Sequence, residues 1–449
     1  MGIEIRAIGG YQEIGRNMTA VKVDDEVVLF DMGLHMPNYI EYTSEDREDL
    51  ISLNEEDLRA ANAIPDDRII KDWKKKVIAI VPSHAHLDHI GAIPFAAPKY
   101  DAPIISTPLC TSVLRRMFED EKTPGANKLI ALNPDTVMPI SKKLSIEFIN
   151  ITHSILQTVV VALHTPYGVV VYGNDFKMDD TPVLGKRPSY ERLEELARKG
   201  VVAAVVDCLN CTHHPKTPSE SVARELLREV MLEQDNQGKA IIVTTFSSNL
   251  ERLYSVVEFA RKLNRKPVFM GRSLSKYAES GQEVGLVDFE AMGAEMVKYG
   301  RNIKRRLAEI QAEGTHKFVL VVTGHQGEPK ATLAKMANRM LPFAFKQGDH
   351  VIFASRVIPT PVNIADRRRL EMQLERYRVK MFKDVHTSGH GGQEDMRQML
   401  DLIKPRMIIP SHGEPRMIDG LVQLTKEMGI SDKVNIIANG DLVMVPLRE

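Results

Sequence analysis

The sequence predicts an α/β protein in which a parallel βαβ domain interrupts a domain of short strands, and three observations carry that reading. The first third is a series of short, alternating apolar runs. From about residue 208, buried apolar runs alternate with helical stretches, and after about Asp384 the chain returns to histidine-rich loops. The expected domains are therefore 1–207 and 384–449 for the outer domain and 208–383 for the insertion.

Ile3, Ile5 and Ala7 open the chain in a strand pattern, and Met18 to Val23 and Val27 to Phe30 form alternating runs joined by Asp24-Asp25-Glu26. Val77 to Val81, Leu144 to Ile151, Thr158 to Leu163 and Val169 to Tyr172 extend a sheet expected to consist largely of antiparallel neighbours. Between Met36 and Lys76 lies an acidic, helix-prone insertion containing Ser44-Glu45-Asp46 and Asn54-Glu55-Glu56-Asp57. It reads as a lid, an oligomer contact or a solvated helical excursion.

In the second domain the apolar runs are Ala240 to Thr244, Pro267 to Met270, Phe318 to Val322 and His350 to Ala354, with helical stretches between them. Each runs into a small polar turn: Thr245 to Ser248, Gly271-Arg272-Ser273, Thr323 to Gly327, and Ser355-Arg356. Loops at the carboxyl ends of parallel strands form a binding crevice in which helix N-termini offer N–H groups to anions. The chain is expected to finish as a hairpin of Val434 to Ile437 and Leu442 to Val445.

Composition narrows the function classes. With 449 residues, roughly two or three domains are expected, and 43% apolar and 27% charged residues describe a globular chain. Lys and Arg (59) balance Asp and Glu (60), so a nucleic-acid partner would be met in a local groove rather than by a polybasic tail. Three cysteines, Cys110, Cys208 and Cys211, make no disulfide framework and point to a reducing, cytoplasmic compartment. The N-terminus lacks a secretion signal, and no apolar run of about 18 residues suggests a membrane partner.

The chemistry is concentrated in Ser83-His84-Ala85-His86-Leu87-Asp88-His89, directly after an apolar strand. Imidazoles at i and i+2 of an extended segment point the same way, while Asp88 and His89 turn toward a neighbouring position. One loop can then serve two metals. Asp31, His153, Asp175 and His412 each follow an apolar run, where a rigid sheet can hold a ligand. Cys208-Leu209-Asn210-Cys211 with His213 and His214 leaves three readings: a zinc site, a redox motif or a packed strand end.

The H-x-H-x-D-H segment and these strand ends resemble the metallo-β-lactamase family. His390 in Ser388-Gly389-His390, His412 in Ser411-His412-Gly413-Glu414, the preceding α/β insertion, and Tyr11 to Asn17 narrow the likeness to its β-CASP branch. Within that branch the whole chain resembles the ribonuclease J family, and its length and lack of a preceding RNA-binding domain look like the archaeal type. The resemblance implies a metallo-β-lactamase αββα sandwich with an inserted β-CASP parallel α/β domain. It implies one metal on His84, His86 and His153, a second on Asp88, His89 and His412, Asp175 bridging both, and Asp31 orienting the loop.

The same resemblance makes Asp207 the acidic motif residue, although Asp-Cys-Leu-Asn stands where hydroxyl residues commonly follow the acid. His390 would lie beside the scissile phosphate, and Asp88, His390 and Asp207 would form the catalytic set. Ser247, Ser248, His386, Ser388 and Gly389, with Arg272 as a cationic contact, would bind the 5′-terminal phosphate of RNA. The implied activity is metal-dependent hydrolysis of single-stranded RNA, mainly from 5′ to 3′, with two Zn²⁺ per chain or Mn²⁺ in their place, in a homodimer. Internal cleavage, hydrolysis of thioesters or lactams, and silent RNA binding are the alternatives. Two cations suit a phosphodiester because they neutralise its oxygens and activate water. Tyr11, Phe176 and Tyr277 are candidates for stacking on bases, against the plainer expectation of packing.

Overall fold

The structure is a computed structural model, and it describes residues 1–44, 53–123 and 127–446. The chain forms two compact units. The first comprises Met1–Asp180, Lys186–Thr217 and Ser388–Glu449; the second comprises Pro218–Thr387 and the short segment Thr181–Gly185. Residues 208–217, expected to begin the insertion, thus lie in the first unit. Strand Val201–Asp207 pairs in parallel with both Gly168–Gly173 and Ile408–Ser411, and Asn210 and Thr217 beyond it donate to the carbonyl of His390.

Among the described residues the first unit holds two sheets. One has the order Leu442–Val445, Ile3–Gly9, Met18–Val23, Glu26–Phe30, Val77–Val81, Ile104–Ser106, Leu129–Ala131. The other runs Ile408–Ser411, Val201–Asp207, Gly168–Gly173, Val159–Thr165, Ser145–Asn150, Thr136–Pro139. Ile5, Val21, Phe30 and Val81 of the first meet Phe148, Val161, Tyr172 and Val205 of the second in one apolar layer.

Strand alternation sends the intervening residues outward. Val160, Ala162 and Val171 leave the second sheet on its other face, against Leu193 and Leu196 of helix Tyr190–Lys199, Met399 and Leu400 of Gln393–Ile403, and Leu421 and Leu424 of Pro415–Glu427. Helix Pro108–Asp120 covers the first sheet beside Ile104–Ser106. This is the four-layer αββα arrangement, and it explains why Val159–Thr165 reads as nearly continuous apolar sequence: both faces are buried.

Two expectations are corrected here. The sheets are mixed: in the first, Glu26–Phe30, Val77–Val81, Ile104–Ser106 and Leu129–Ala131 are all parallel neighbours, because helical segments carry the chain back between them. Nor does the chain end in a hairpin. Val434 makes a parallel bridge to Ile408 of the second sheet, whereas Leu442–Val445 pairs with Ile3–Gly9 of the first. Two apolar runs a few residues apart close different sheets, which hydrophobic pattern alone does not distinguish.

Part of the acidic insertion, including Glu45 and Asp46, lies outside the described residues. The segment after it is anchored: Leu58 and Ile70 are buried, and Asp67 accepts from Tyr100 while pairing with Lys99 and Arg59.

Glu147 sits on the helix-covered face of the second sheet, between inward-facing Ile146 and Phe148, and is only 1% exposed. Arg192 Nη1 at 2.7 Å and His164 Nε2 at 2.8 Å hold its carboxylate, with Lys199 at 3.5 Å. Burial alone would raise its pKa, but these partners outweigh burial and bring it down to about 2. The unfolded value is about 4.3, so the stabilisation is present above that pH and is lost as pH falls toward 2. Glu147→Gln should cost roughly 1–3 kcal/mol at pH 7. In denaturant melts against pH, the gap from the parent should close between about pH 4 and 2.

The second unit is a parallel sheet ordered Glu295–Val297, Lys266–Met270, Phe318–Val322, Ile241–Thr244, His350–Phe353, Lys380–Phe382, with every pairing parallel. Ile242, Val268, Leu320 and Val351 pack in one cluster, while Ile241, Phe269, Val321 and Ile352, from the opposite face, are equally buried. Helices therefore cover both faces, as parallel sheets require.

Candidate metal centre

Four strand ends and one loop of the first unit converge. Val77–Val81 delivers Ser83 to His89; Asp31 follows Glu26–Phe30; His153 follows Ser145–Asn150; Asp175 follows Gly168–Gly173; and His412 follows Ile408–Ser411. Asp31, Asp175 and His412 have φ of 55°, 52° and 52°, left-handed conformations that turn each side chain sharply off its strand. Such conformations cost of order 1 kcal/mol each and cluster at functional sites.

His84, His86, His153 and Asp175 offer ligand atoms that gather in one group; Asp88, His89, Asp175 and His412 make a second. In the first, His86 Nδ1 lies 3.1 Å from both His84 Nε2 and His153 Nε2, and Asp175 Oδ2 lies 3.5 Å from each of those two nitrogens. Zinc bonds of about 2.0–2.1 Å in tetrahedral geometry place neighbouring donors about 3.3 Å apart. The four separations bracket that edge.

In the second group, His89 Nε2 lies 3.2 Å from Asp175 Oδ2 and 3.7 Å from Asp88 Oδ2, while His412 Nε2 lies 3.7 Å from Asp88 Oδ2 and from Asp175 Oδ1. Asp175 therefore faces both groups. Its Oδ1 is buried without a hydrogen-bond partner, an orphaned acceptor that a cation at this position would satisfy. The residues fit a pair of divalent ions.

The opposite ring nitrogens are engaged, which aims the ligating ones. His89 Nδ1 donates to Asp31 Oδ2 at 2.7 Å, His153 Nδ1 to the Gly389 carbonyl at 2.7 Å, His84 Nδ1 to Ser83 Oγ at 3.0 Å, and His412 Nδ1 lies 3.2 Å from Asn17 Oδ1. Asp31 accepts besides from Ser83 N–H and Tyr172 OH. From Tyr172 the chain of bonds continues through Asn174 to Ser411, so one buried network ties Asp31 to the residue before His412.

Electrostatics sort the histidines. Burial pushes His84 and His153 well below the ordinary value and His86 down to about 4, which keeps these rings neutral and fit to ligate. Burial opposes charge on His89 as well, but Asp175, Asp88 and Asp31 overcome it and raise that pKa well above normal. Burial likewise works against ionised Asp175, and His89, His412 and His390 reverse it, holding the carboxyl well below the usual range. His390 donates from Nδ1 to Asp207 Oδ2 at 2.7 Å, with Nε2 3.8 Å from Asp175 Oδ2. Against burial, the Asp207 and Asp175 carboxylates raise its pKa to about 9. The centre thus sets an imidazole anchored by a carboxylate beside the metal-type groups.

Asn17, Tyr172, Asn174 and Ser411 were not singled out individually by the sequence. Asn17 and Ser411 belong to the Tyr11 to Asn17 and Ser411 to Glu414 motifs; Tyr172 and Asn174 gain meaning only when the strands are assembled. Ser388 and Gly389 lie in the first unit, where Ser388 Oγ accepts from His390 N–H and a Cβ on Gly389 would lie 2.9 Å from His153 Cε1. Ser247, Ser248, Arg272 and His386 belong to the second unit. There Ser247 Oγ and Ser273 Oγ are 2.9 Å apart, His386 Nδ1 is 3.3 Å from Arg252 Nη1, and Arg272 is exposed.

Tyr11, Phe176 and Tyr277 are buried, so the packing expectation holds over stacking. Cys208 and Cys211 are buried free thiols, with Cys208 Sγ 3.0 Å from the Ser411 carbonyl, and His214 turns to Gln393. No metal-type group among the described residues includes them, which favours the packed strand end. Among the described residues no helix is long and apolar enough to cross a membrane.

The chain is similar to known proteins over nearly its whole length. Residues 238–367 match the family model "Ribonuclease J, beta-CASP domain", and 376–437 match "Zn-dependent metallo-hydrolase RNA specificity domain". The ribonuclease J of Methanocaldococcus jannaschii is 41% identical over 445 residues, covering 98% of each chain. That of Pyrococcus abyssi is 40% identical, covering 99% of this chain and 97% of its own. A crystal structure of a protein of unknown function from Enterococcus faecalis shares the fold with a TM-score of 0.66 at 17% identity, covering 99% of this chain and all of that one. Likeness at this level, spread over nearly the full length of two archaeal relatives rather than one shared module, places the chain in the ribonuclease J family of metallo-hydrolases.

Proposed function

We propose that this chain hydrolyses single-stranded RNA from its 5′ end, prefers a 5′-monophosphate, and releases mononucleotides. The observation that carries the reading is the buried Asp175 carboxylate shared by two ligand groups, with the Asp207-held His390 beside it. His84, His86, His153 and Asp175 hold one ion, and Asp88, His89, His412 and Asp175 hold the other. Zinc suits the imidazole-rich set, and manganese is the alternative. When bound, such a pair would neutralise phosphate charge and make water acidic enough to attack.

The side chains do the rest. His390, held by the Asp207 carboxylate, hydrogen-bonds a phosphate oxygen and gives its proton to the departing ribose oxygen. Asp207 fixes the ring through Nδ1, so that Nε2 faces the reacting phosphate. Asp88, half-exposed at the centre's edge, is placed to accept a proton from the attacking water. Ser247, Ser248, Arg272 and His386 are the candidates for binding the 5′-phosphate.

A time course on RNA labelled at its 5′ end tests this. With a 5′-monophosphate, labelled mononucleotide should be the first product, and a 5′-triphosphate should slow its release at least about tenfold, as expected for loss of a charge-assisted phosphate contact. Longer labelled fragments appearing first, from either substrate, would establish internal cutting instead.

A further inference from the structure

Phe246 and His325 stand at the carboxyl ends of adjacent parallel strands of the second unit, where Thr244 is registered with Val322. Ligands of open parallel sheets bind at this end. The two rings are half-exposed, with centroids 4.2 Å apart and planes tilted by 60°. Phe269 with Phe289 and Phe343 with Phe345, two of the unit's other aromatic contacts, are buried packing.

Both loops are fastened through their main chain. The Phe246 carbonyl accepts from Asn249 N–H at 3.1 Å, and the His325 carbonyl accepts from Arg367 Nη1 at 2.8 Å. Gln326 bridges to the Arg356 carbonyl and to Ile358 N–H. Gly327, at φ 87°, leaves no space for a side chain, since a Cβ would meet Arg367 N at 2.4 Å. The loops that carry the rings are therefore held in place, while neither ring nitrogen of His325 has a hydrogen-bond partner among the described residues. Burial lowers the His325 pKa despite the nearby Glu328 carboxylate, so the imidazole is neutral at pH 7.

A phenyl ring beside a neutral imidazole with free nitrogens offers what a nucleobase requires: a surface for stacking and a partner for its edge. Immediately after Phe246, Ser247 bonds Ser273 next to exposed Arg272, which brings hydroxyl and cationic groups within a nucleotide's reach of the base contact. We infer that Phe246 and His325 form a nucleobase-binding site for a nucleotide near the 5′ end of the bound RNA. This rests on the ribonuclease reading and adds a base contact to its phosphate contacts.

The test compares 5′-monophosphorylated oligoribonucleotides that each carry one abasic residue, bound to the full chain with EDTA present to stop hydrolysis. Removing the stacked base should weaken binding about tenfold at one position near the 5′ end and little elsewhere. Phe246→Ala should abolish that positional penalty, whereas a general loss of fold would weaken all oligonucleotides alike. Phe246→Leu, which keeps bulk without the ring, should abolish it too. Equal penalties in the parent and both variants at every position would overturn the inference. Absence of hydrolysis of the intact oligonucleotide by the parent with zinc or manganese would instead contradict the ribonuclease reading, and this inference with it.

Discussion

Asp175→Asn should lower RNA hydrolysis by more than about a hundredfold and strip the chain of bound metal. Losing a residue that merely orients a metal ligand typically costs 10–100-fold, and Asp175 is the carboxylate common to both groups. Asparagine is the informative replacement because it tolerates the left-handed backbone, φ 52°, in which the residue sits. It also keeps the side chain's shape while removing the charge that offsets His89 and His412. Metal analysis alongside a 5′-label time course reads both effects. Turnover within about tenfold of the parent, with full metal content, would mean the centre does not depend on a shared carboxylate.

His390→Ala should behave differently, lowering kcat by roughly 10²–10⁴-fold while leaving metal content unchanged. Its Nε2 is 3.8 Å from Asp175 and it groups with Asp175 and Asp207, but its Nδ1 is committed to Asp207, which leaves Nε2 for a proton donated to the leaving group. Asp207→Asn, which loosens the ring without removing it, should give an intermediate loss. If His390→Ala lost metal in parallel with activity, the residue would be a ligand and the acid would have to be sought elsewhere.

These contrasts also show what the sequence revealed. The cluster from His84 to His89 was legible because its spacing is local and its residue types have few other uses in that density. Asp31, His153, Asp175 and His412 were legible one step further on, since each closes a recognisable apolar run, and the structure gathers His153, Asp175 and His412 with the loop and bonds Asp31 to it. The network of Tyr172, Asn174 and Ser411 was not, because Ser411 lies on another strand and reaches Asn174 only through parallel pairing of Val201–Asp207 with Gly168–Gly173 and Ile408–Ser411.

The same limit explains the misread strand directions and terminal hairpin. Alternation says which residues of a strand share a face, whereas the choice of neighbour depends on the connection between strands. The burial of Tyr11, Phe176 and Tyr277 also follows from tertiary packing, because an aromatic ring beside a motif has the same sequence signature whether it faces the core or a ligand.

The most direct measurement is anomalous X-ray diffraction from crystals of the full chain grown with zinc. Two peaks about 3.5–4 Å apart are expected. One should be bordered by His84, His86 and His153, the other by Asp88, His89 and His412, with an Asp175 oxygen in contact with each. A single peak, or two peaks with Asp175 beyond bonding distance of either, would contradict a shared dinuclear centre.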